Sequence, residues 1–406
     1  MKILYLVPYA PNLIRVRPYN LIRHLANQGH QVTVLTLWSV AREREDARRL
    51  EQFCTQVYAA SLPLSRSMFN SLAALPSRMP LQANYCWQPL LRDRLVELAL
   101  GSNGKAPFDI VHVEHLRGVK YALALKSHFN EQNEIPIVWD SVDSISMLFK
   151  QASSASKSLF GRWLTRFELG RTEHYESWLP GMFARTLVTS QVDKNAFLSL
   201  QSSAATDSNI TVLPNGVDLE YFTPDSSVER EPDTLVLTGK MSYHANISMA
   251  LYLVERIMPL VWMDRPGVKV YIVGKDPALE IKSLAVDPRI VVTGTVDDIR
   301  PYLRKAAIAV APIMYGAGIQ NKVLEAMACG TPVVSTPQAT AALAIEPDLD
   351  LITAGEPATF AQAVLSLLED PGLRQKIGLA GRRYVETHHQ WNRIVENLVK
   401  VYQELG

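Results

Sequence analysis

The amino-acid sequence predicts an α/β protein built from two doubly wound domains. Its 406 residues exceed the ~250–300 residues at which a single hydrophobic core stops growing, so two domains are expected. Both halves of the chain also alternate short aliphatic and β-branched runs with segments of helical periodicity. Such alternation is typical of a parallel sheet that carries helices on both faces.

The first half begins with a strand at Lys2–Val7, a short apolar run that a proline closes. Apolar residues then recur at helical spacing within residues 18–28, and Gly29 ends this helix. Further apolar runs predict strands at residues 31–37, 109–113 and 135–139. The first domain is therefore expected to alternate strand and helix.

The second half repeats this plan. Apolar runs predict strands at residues 234–237, 268–273, 290–293, 307–311 and 332–335, and residues 212–218 (VLPNGVD) predict a strand that runs into a Pro-Asn-Gly turn. Helices are predicted over residues 247–261, 319–329 and 384–405, the second of which Gly330 ends. A Ser/Ala/Thr-rich stretch at residues 201–207 has the composition of a linker, so the domain boundary is placed after residue 205.

Charge and cysteine content exclude several classes of protein. Lys+Arg 41 against Asp+Glu 40 leaves a formal net charge of +1, which argues against a nucleic-acid-binding protein. The three cysteines lack metal-ligand spacing, which argues against a disulfide framework and favours a reducing compartment. No apolar run reaches the ~18–20 residues of a membrane span, and the N-terminus is unlike a signal peptide. We therefore expect a cytoplasmic protein.

The strongest candidate site lies at residues 315–330, which read YGAGIQNKVLEAMACG. Gly316 and Gly318 precede a predicted helix, whose first-turn amides are unpaired and attract anions such as phosphate. Lys322 and Glu325 are three residues apart and share a face of that helix. A cation for phosphate and a carboxylate for ribose hydroxyls fit a nucleotide ligand. The alternative is an ordinary glycine-rich turn with a solvated Lys–Glu pair.

The sequence GIQNKVLEAMACGTPVV at residues 318–334, preceded by VAPI, resembles the nucleotide-sugar signature of glycosyltransferase family 4. LPNGVDLEYF at residues 213–222, TGTVDDIRPYL at residues 293–303 and the helix containing Trp391 are similar to further landmarks of that family. The resemblance implies GT-B architecture, which consists of two Rossmann-like domains facing a central cleft. It also implies that residues 385–406 return to the first domain, which leaves 206–384 as the C-terminal domain.

The resemblance implies that the C-terminal domain holds a nucleoside diphosphate sugar, with no cofactor and no metal ion. Glu325 would then bind the donor ribose. The implied donor-binding residues are Gly239, Lys240, Thr295, Val296, Gly316, Gly318, Ile319, Gln320, Asn321, Lys322 and Glu325. The sequence departs from the family pattern at two places. Ala317 stands where family members commonly have a glutamate that contacts the donor sugar. Lys240 and Ala245 stand where the family usually has the arginine and the lysine that bind the phosphates.

Lys240 follows Gly239 at a predicted strand end, with His244 and Asn246 close behind. A cation there can neutralise the charge that grows on a departing diphosphate. The alternative is a surface lysine in a polar loop. Lys322 is expected to compensate for the missing cation at Ala245.

Candidate acceptor-side residues occupy strand ends and a loop of the first half. They are Arg15, Arg17, His112, Glu114, His115, Asp140 and Asp143. Either Glu114 or His115 can orient an acceptor hydroxyl, or both satisfy loop amides. Asp140 and Asp143 either bind acceptor hydroxyls or cap a helix. Arg15 and Arg17, where the family usually has a glycine-rich loop, either approach the donor phosphate or are solvated.

Residues 157–171, KSLFGRWLTRFELGR, mix basic with bulky apolar side chains. Such a helix either lies in a membrane interface, as peripheral contact at the inner face, or packs as an ordinary amphipathic helix.

The resemblance, together with these residues, implies a retaining hexosyltransferase that acts on a glycan or a lipid-linked acceptor, in cell-surface polysaccharide or glycolipid synthesis. The candidate catalytic residues are Lys240, Lys322, Glu325, His115 and Glu114. Two alternatives stay open. One is a catalytically inactive nucleotide-sugar-binding scaffold of a polysaccharide assembly, which Ala317 favours, and the other is a GT-B epimerase that acts on the donor sugar.

Overall fold

The computed structural model describes residues 1–12, 15–101, 107–130, 134–155, 159–201, 209–315 and 318–406, without the side chains of 152–155 and 159–164. The chain divides into two compact units. The first consists of Met1–Pro214 with Trp391–Gly406, and the second of Asn215–Gln390. The predicted linker at residues 201–207 lies almost wholly outside the described residues, and the division falls at Pro214 rather than after residue 205.

The first unit is built on a parallel sheet of seven described strands. They are β1 (Lys2–Val7), β2 (Gln31–Trp38), β3 (Gln56–Ser61), β4 (Ile110–Glu114), β5 (Ile137–Val142), β6 (Arg185–Val188) and β7 (Ile210–Val212). The spatial order is β3-β2-β1-β4-β5-β6-β7, so the order reverses between β1 and β4. Sequence patterns missed β3 and β6. The reversal opens a crevice at the carboxyl ends of the two central strands.

Helices cover both faces of this sheet. They are α1 (Val16–Asn27), α2 (Ala41–Arg49), α3 (Leu64–Ala74), α4 (Leu81–Tyr85), α5 (Pro89–Leu100), α6 (His115–Lys126), α7 (Ile145–Ala155), α8 (Leu159–Trp178) and α9 (Gln191–Leu200). Alternate residues of β1 point to opposite faces: Leu4 and Leu6 join one core cluster, while Ile3 and Tyr5 join the other. A central strand buried on both faces explains why its sequence is apolar without interruption.

The second unit repeats the arrangement with six described strands. They are β8 (Glu231–Thr238), β9 (Lys269–Val273), β10 (Ile290–Gly294), β11 (Ala306–Ala311), β12 (Val333–Ser335) and β13 (Ile352–Thr353). All pairs are parallel, and the order β10-β9-β8-β11-β12-β13 reverses between β8 and β11. The strand predicted at the start of residues 212–218 begins and ends earlier, as β7 (Ile210–Val212), and the Pro-Asn-Gly segment after it is not strand.

The helices of this unit lie between and after its strands. They are α10 (His244–Tyr252), α11 (Met258–Asp264), α12 (Leu279–Ser283), α13 (Arg300–Lys305), α14 (Asn321–Ala328), α15 (Pro337–Thr340), α16 (Pro357–Glu369) and α17 (Pro371–His388). The predicted helix at 247–261 is interrupted by a π-helical turn at Leu253–Ile257. Pro259 has no N–H to donate to the carbonyl four residues earlier, which accounts for the wider turn before it.

The predicted single helix at 384–405 is wrong, because the chain forms two helices there. α17 ends at His388, and α18 (Trp391–Gln403) begins after a two-residue break. In the break, the His389 ring lies 2.6 Å from the carbonyl oxygen of Asn215, and its own carbonyl accepts from Val217 N–H. The apolar face of α18 packs into the same cluster as Ile3 and Tyr5, so this helix belongs to the first unit.

No helix among the described residues combines the length and the apolar composition that crossing a bilayer requires.

The carboxyl ends of β8 and β9 approach each other so closely that glycine is required. A Cβ on Gly274, whose φ is +153°, would lie 1.7 Å from the carbonyl oxygen of Gly239. The Gly239 N–H donates to Val273 at 3.1 Å, and the Met241 N–H donates to Lys275 at 2.9 Å. These contacts hold the loop that carries Lys240 directly against the neighbouring strand.

We expect Gly274→Ala to destabilise the second unit by about 3 kcal/mol or more, because backbone and loop must both move. Gly267→Ala is the matched control, since a Cβ there meets no atom within 4 Å. Denaturant unfolding of both variants measures the difference. Equal free energies of unfolding would contradict this account of the loop.

Candidate functional site

The carboxyl edge of the second sheet gathers the predicted donor residues around the point where strand order reverses. His244, at the start of α10, stacks on Tyr315 with ring centroids 5.6 Å apart. The His244 Nδ1 atom lies 2.8 Å from the Tyr315 hydroxyl, and Ser248 Oγ lies 3.4 Å from it. The loop after β11 is therefore attached to the helix that follows β8, above the crevice between these strands.

Lys240 is exposed at the end of β8. The backbone carbonyl of Lys240 accepts from the Asn246 side chain at 3.0 Å, which fixes the turn while the ammonium group remains in solvent. Asn246 itself is 7 % exposed, and a Cβ on Gly239 would lie 2.8 Å from its Nδ2 atom. The structure thus places a cation at the carboxyl end of the central strand, where the sequence predicted it.

Lys322 and Glu325 lie in the first turns of α14, and both are half-buried. The Lys322 ammonium donates to Gln320 Oε1 at 3.1 Å rather than to Glu325. Burial raises the Glu325 pKa to about 7, against the opposing effect of Lys322, and lowers the Lys322 pKa to about 8, against that of Glu325. Burial disfavours the charged form of both side chains. Two neighbouring ionisable groups with pKa values shifted in this way are typical of a ligand site.

The remaining predicted donor residues are distributed along the same edge. Thr295 and Val296 follow β10, two strands away from β8. Val296 also lines a cavity of about 420 Å³, but Glu231 and Ala306, the first residues of β8 and β11, place that cavity toward the opposite ends of those strands. Gly318 has a φ of +65°, and Asn321 begins α14. The side chain of Ile319 is 7 % exposed and packs into the core, which leaves its backbone for a ligand. Gly316 and Ala317 lie outside the described residues.

In the first unit, Arg17, His112 and Asp140 form a buried network. Arg17 Nε lies 2.8 Å from Asp140 Oδ2, and its guanidinium also donates to the Leu213 carbonyl at 3.0 Å. His112 lies 3.6 Å from the same carboxylate and 2.7 Å from the Tyr402 hydroxyl. Burial raises the Asp140 pKa, but Arg17 and His112 outweigh it, so this pKa lies below its usual value.

This placement does not support the predicted direct contact of these three side chains with an acceptor. Their exposures are 5 % for Arg17 and 0 % for His112 and Asp140. Because their polar atoms face one another, the network instead joins α1, β4, β5 and α18. We therefore assign Arg17, His112 and Asp140 a positioning role.

Glu114 also points inward. Its carboxylate accepts hydrogen bonds of 2.8 Å from the hydroxyls of Tyr5 and Tyr9, and the residue is fully buried. Burial, followed by the Asp140 charge, raises the Glu114 pKa to about 8. Of the two alternatives at this strand end, the structure therefore leaves His115 as the residue that can meet a ligand.

His115 stands at a strained position at the carboxyl end of β4. Its φ is +63°, and Val142 at the end of the neighbouring β5 has a φ of +70°. Positive φ is a genuine outlier for a β-branched residue, and such strain collects at functional sites. Burial, then the Arg117 charge, lowers the His115 pKa to about 3. The Arg117 N–H donates to His115 Nδ1 at 3.3 Å, so the neutral ring carries its proton on Nε2.

Neither Asp140 nor Asp143 caps a helix, contrary to one predicted alternative. Ser144 Oγ accepts from the Met147 N–H at the start of α7, and the buried Glu176 accepts from Ile145 N–H at 2.8 Å. Asp143 is half-buried and accepts from Thr189 Oγ1 at 2.9 Å. Burial, then Asp193, raises the Asp143 pKa to about 7. The capping role of Glu176 was missed because it comes from a distant helix.

Arg15 is half-buried, and its guanidinium is held on two sides. It pairs with Glu43 at 3.0 Å and lies 4.8 Å from the centroid of the Tyr9 ring. Tyr9 in turn faces the edge of His115, with ring centroids 6.2 Å apart. Arg15, Tyr9 and His115 thus form a cluster at the carboxyl ends of β1 and β4, where the first sheet reverses its order.

Residues 157–158 of the predicted interfacial helix, and the side chains of 159–164, lie outside the described residues. Within the described part, Phe167 is half-buried, and the Arg171 guanidinium lies 4.2 Å from its ring centroid. The described residues contain no group of three or more His, Cys, Asp or Glu side chains arranged to hold a metal ion.

Comparison with known proteins identifies the class of fold. The chain resembles the Anabaena protein Alr3699/HepE, solved in complex with UDP and glucose, with a TM-score of 0.67, 16% identity and 99% of both chains covered. Two Rossmann-like domains of this type define the GT-B fold of glycosyltransferases.

The chain belongs to glycosyltransferase family 4. The sequence profile with that description matches residues 15–221, and one described as Glycosyl transferases group 1 matches residues 232–370. The protein is therefore a glycosyltransferase.

Two curated relatives extend the comparison. An uncharacterized 44.6 kDa protein in the cps region of Klebsiella pneumoniae is 19% identical over 93% of this chain and 92% of its own length. The GDP-mannose-dependent monoacylated alpha-(1-6)-phosphatidylinositol monomannoside mannosyltransferase of Corynebacterium glutamicum is 28% identical over 47% of this chain and 55% of its own length. The chain thus spans about half the length of this second relative.

We expect Arg17→Met to destabilise the first unit by about 3–5 kcal/mol, since it leaves the Asp140 charge buried without its partner. Arg92→Met is the control: its pair with Asp93 is exposed, with side-chain accessibilities of 37% and 61%, and should cost less than about 1 kcal/mol. Denaturant unfolding distinguishes the two. An Arg17→Met protein as stable as the control would refute the positioning role.

Proposed function

We propose that this protein is a retaining hexosyltransferase. It moves a hexosyl group from a nucleoside diphosphate sugar to a glycan or lipid-linked acceptor, in cell-surface polysaccharide or glycolipid synthesis at the cytoplasmic side. The observation that carries the proposal is the Lys322–Glu325 pair at the start of α14, at the reversal point of the second sheet.

The shifted pKa values of this pair suit such a donor. A diphosphate beside Lys322 supplies the negative charge that keeps the ammonium protonated, which offsets the cost of burial. Ribose hydroxyls that donate to Glu325 stabilise its ionised form, which burial disfavours. Both charges are poorly compensated in the free protein, so contacts with the donor stabilise each of them.

The transfer step is proposed to be electrostatic. When the bond to the sugar breaks, charge accumulates on the departing diphosphate, and Lys240 and Lys322 stabilise it together with the first amides of α14. The acceptor hydroxyl attacks on the face that the leaving group vacates, and a phosphate oxygen accepts its proton. His115, neutral at pH 7, is proposed to donate its Nε2–H to an acceptor hydroxyl rather than to act as an acid.

The relatives support the substrate class. One relative is named as a GDP-mannose-dependent mannosyltransferase, and one structural neighbour was solved with UDP and glucose. A third similar protein is encoded in a cps region. These names favour a nucleotide-sugar donor and a glycan product, and they disagree on the nucleobase, which is therefore left to measurement.

Two alternative functions differ from the proposal in what they consume. A nucleotide-sugar-binding scaffold, which Ala317 in place of the common glutamate favours, binds the donor without turnover. An epimerase converts the donor sugar with no acceptor present. Measuring what happens to the donor sugar, with and without acceptor, therefore distinguishes the three functions.

A panel of nucleoside diphosphate sugars should contain at least one that raises the melting temperature, because a ligand that binds only the folded state stabilises it. With the best donor, Glu325→Gln is expected to weaken binding about tenfold or more and to lower transfer accordingly. Glu280→Gln, at an exposed position on α12, serves as the control. Unchanged donor affinity and turnover in Glu325→Gln would defeat the assignment.

Glu325 should also make stability depend on pH. Its folded pKa of about 7 exceeds the ordinary 4.5, so the folded protein keeps a proton that the unfolded chain releases between these values. The free energy of unfolding therefore falls as pH rises through this window.

Without donor, Glu325→Gln should melt a few degrees above the wild type at pH 8, and this gain should shrink toward pH 5. Thermal melts at both pH values measure it. A gain independent of pH would contradict the raised pKa.

A further inference from the structure

Two cations of helix α6 stand close to His115 without a carboxylate partner. Arg117 and Lys120 are three residues apart on this helix, so their side chains project from one face of it. Both residues are half-buried, and neither forms an ion pair with any residue that the structure describes. We call these two residues the α6 cations.

Arg117 is poorly compensated at its position. It lies in the first turn of α6, where the helix dipole opposes a positive charge. Its guanidinium lies 5.6 Å from the centroid of the Tyr85 ring and donates to the thiol of Cys86, which is a weak acceptor. The Arg117 Nε atom is enclosed and has no hydrogen-bond acceptor in the described part of the chain. An oxyanion beside the guanidinium would offset these costs.

Lys120 is held in place by neutral groups. Its ammonium donates to Asn84 Oδ1 at 2.6 Å and lies 4.3 Å from the centroid of the Trp87 ring. Asn84 is 6 % exposed and donates to the Asn70 carbonyl, so the acceptor of the lysine is itself fixed. Burial lowers the Lys120 pKa, as expected for an ammonium without a carboxylate beside it. The lysine is thus oriented without being neutralised, as Lys322 is in the second unit.

The carboxylates of this part of the first unit have other partners. Glu43 and Asp140 pair with arginines at 3.0 and 2.8 Å. Glu168 accepts from a backbone N–H at 2.9 Å and lies 3.9 Å from a further arginine. Burial raises the Glu114 pKa to about 8, so this residue is mainly protonated at pH 7. Helix α6 itself contains no acidic residue, which leaves the charge of the α6 cations uncompensated.

The α6 cations also stand next to the cluster of Arg15, Tyr9 and His115. Helix α6 follows β4 directly and begins with His115, at the edge where the first sheet reverses its order. The Arg117 N–H donates to His115 Nδ1 at 3.3 Å, so the arginine and the histidine belong to one helical turn. A ligand whose anionic group contacts the α6 cations can therefore present a neighbouring hydroxyl to the histidine.

We propose that the α6 cations bind an oxyanion of the acceptor, a phosphate or a carboxylate, while a nearby acceptor hydroxyl meets His115. This inference rests on the proposed function, because it assigns a charge to the acceptor of that reaction. Arg117 contributes a planar guanidinium that matches the geometry of an oxyanion, and Lys120 contributes a compact charge. Because both side chains are already held, little of their freedom is lost when the acceptor binds.

Binding of simple acceptor-like probes to the whole protein tests this site without donor or turnover. Calorimetric titration compares glucose 6-phosphate, glucuronate and neutral methyl glucoside. At least one anion should bind about tenfold or more tightly than the neutral sugar, and the tighter anion distinguishes a phosphate from a carboxylate. No donor is present, so failure of this experiment leaves donor binding untouched. Failure of the donor panel likewise leaves the anion site standing.

Arg117→Gln/Lys120→Gln should weaken binding of the preferred anion about tenfold or more and leave that of methyl glucoside unchanged. Lys2→Gln/Lys400→Gln is the matched control, since it removes two positive charges from exposed positions of the first unit. This control should bind the anion like the wild type. Lys322→Gln should also keep anion binding, because Lys322 belongs to the second unit.

A melting temperature close to that of the wild type verifies that the double variant folds. Should it melt much lower, Lys120→Gln alone replaces it and should bind the anion severalfold more weakly, while the charge-preserving Lys120→Arg should lose less.

Three results would overturn the proposal. Neither anion binds more tightly than methyl glucoside, or the variant that lacks the α6 cations binds the anion as tightly as the wild type. Alternatively, Lys322→Gln loses as much anion binding as that variant, which would place the anion in the second unit.

Discussion

Parallel strand pairing is the constraint on which the rest of this protein depends. All the described pairs of both sheets run parallel, so the carboxyl ends of each sheet meet at one edge. The order reverses at β1 and β4 in the first sheet and at β8 and β11 in the second, and the connections there diverge to leave a crevice. Lys240, Lys322 and His115 all lie at these edges, although their sequence neighbours have little in common.

The two units differ in whether their buried charges are compensated within the protein. Arg17 and Asp140 lie 2.8 Å apart with no solvent between them, so each charge is compensated within the protein. Lys322 donates to a neutral amide, and the pKa values of Lys322 and Glu325 show that both bear an uncompensated cost of burial. The first arrangement compensates its charges within the protein, while we propose that the second leaves its charges to be compensated by a ligand.

Helix α3 shows how a buried polar contact can fix apolar side chains in solvent. Asn70 keeps a polar face buried, so Phe69 and Leu72 remain in solvent, where they contribute little to the free energy of folding. The orientation of this helix is therefore set by its hydrogen bonds rather than by burial of its apolar face.

The sequence by itself determined the fold class, most strand positions and the helix that carries Lys322 and Glu325. Lys2–Val7 was predicted to the residue, and Lys322 and Glu325 were placed correctly on one helix, because strand and helix periodicity are local properties. Only the tertiary structure decided which polar residues are accessible. Arg17 and Asp140 are 123 residues apart, and α18 covers His112 from the far end of the chain. Burial of this kind arises from long-range packing, so no local pattern could distinguish the buried Glu114 from its strained neighbour His115, nor show that His389 breaks a helix by bonding to Asn215.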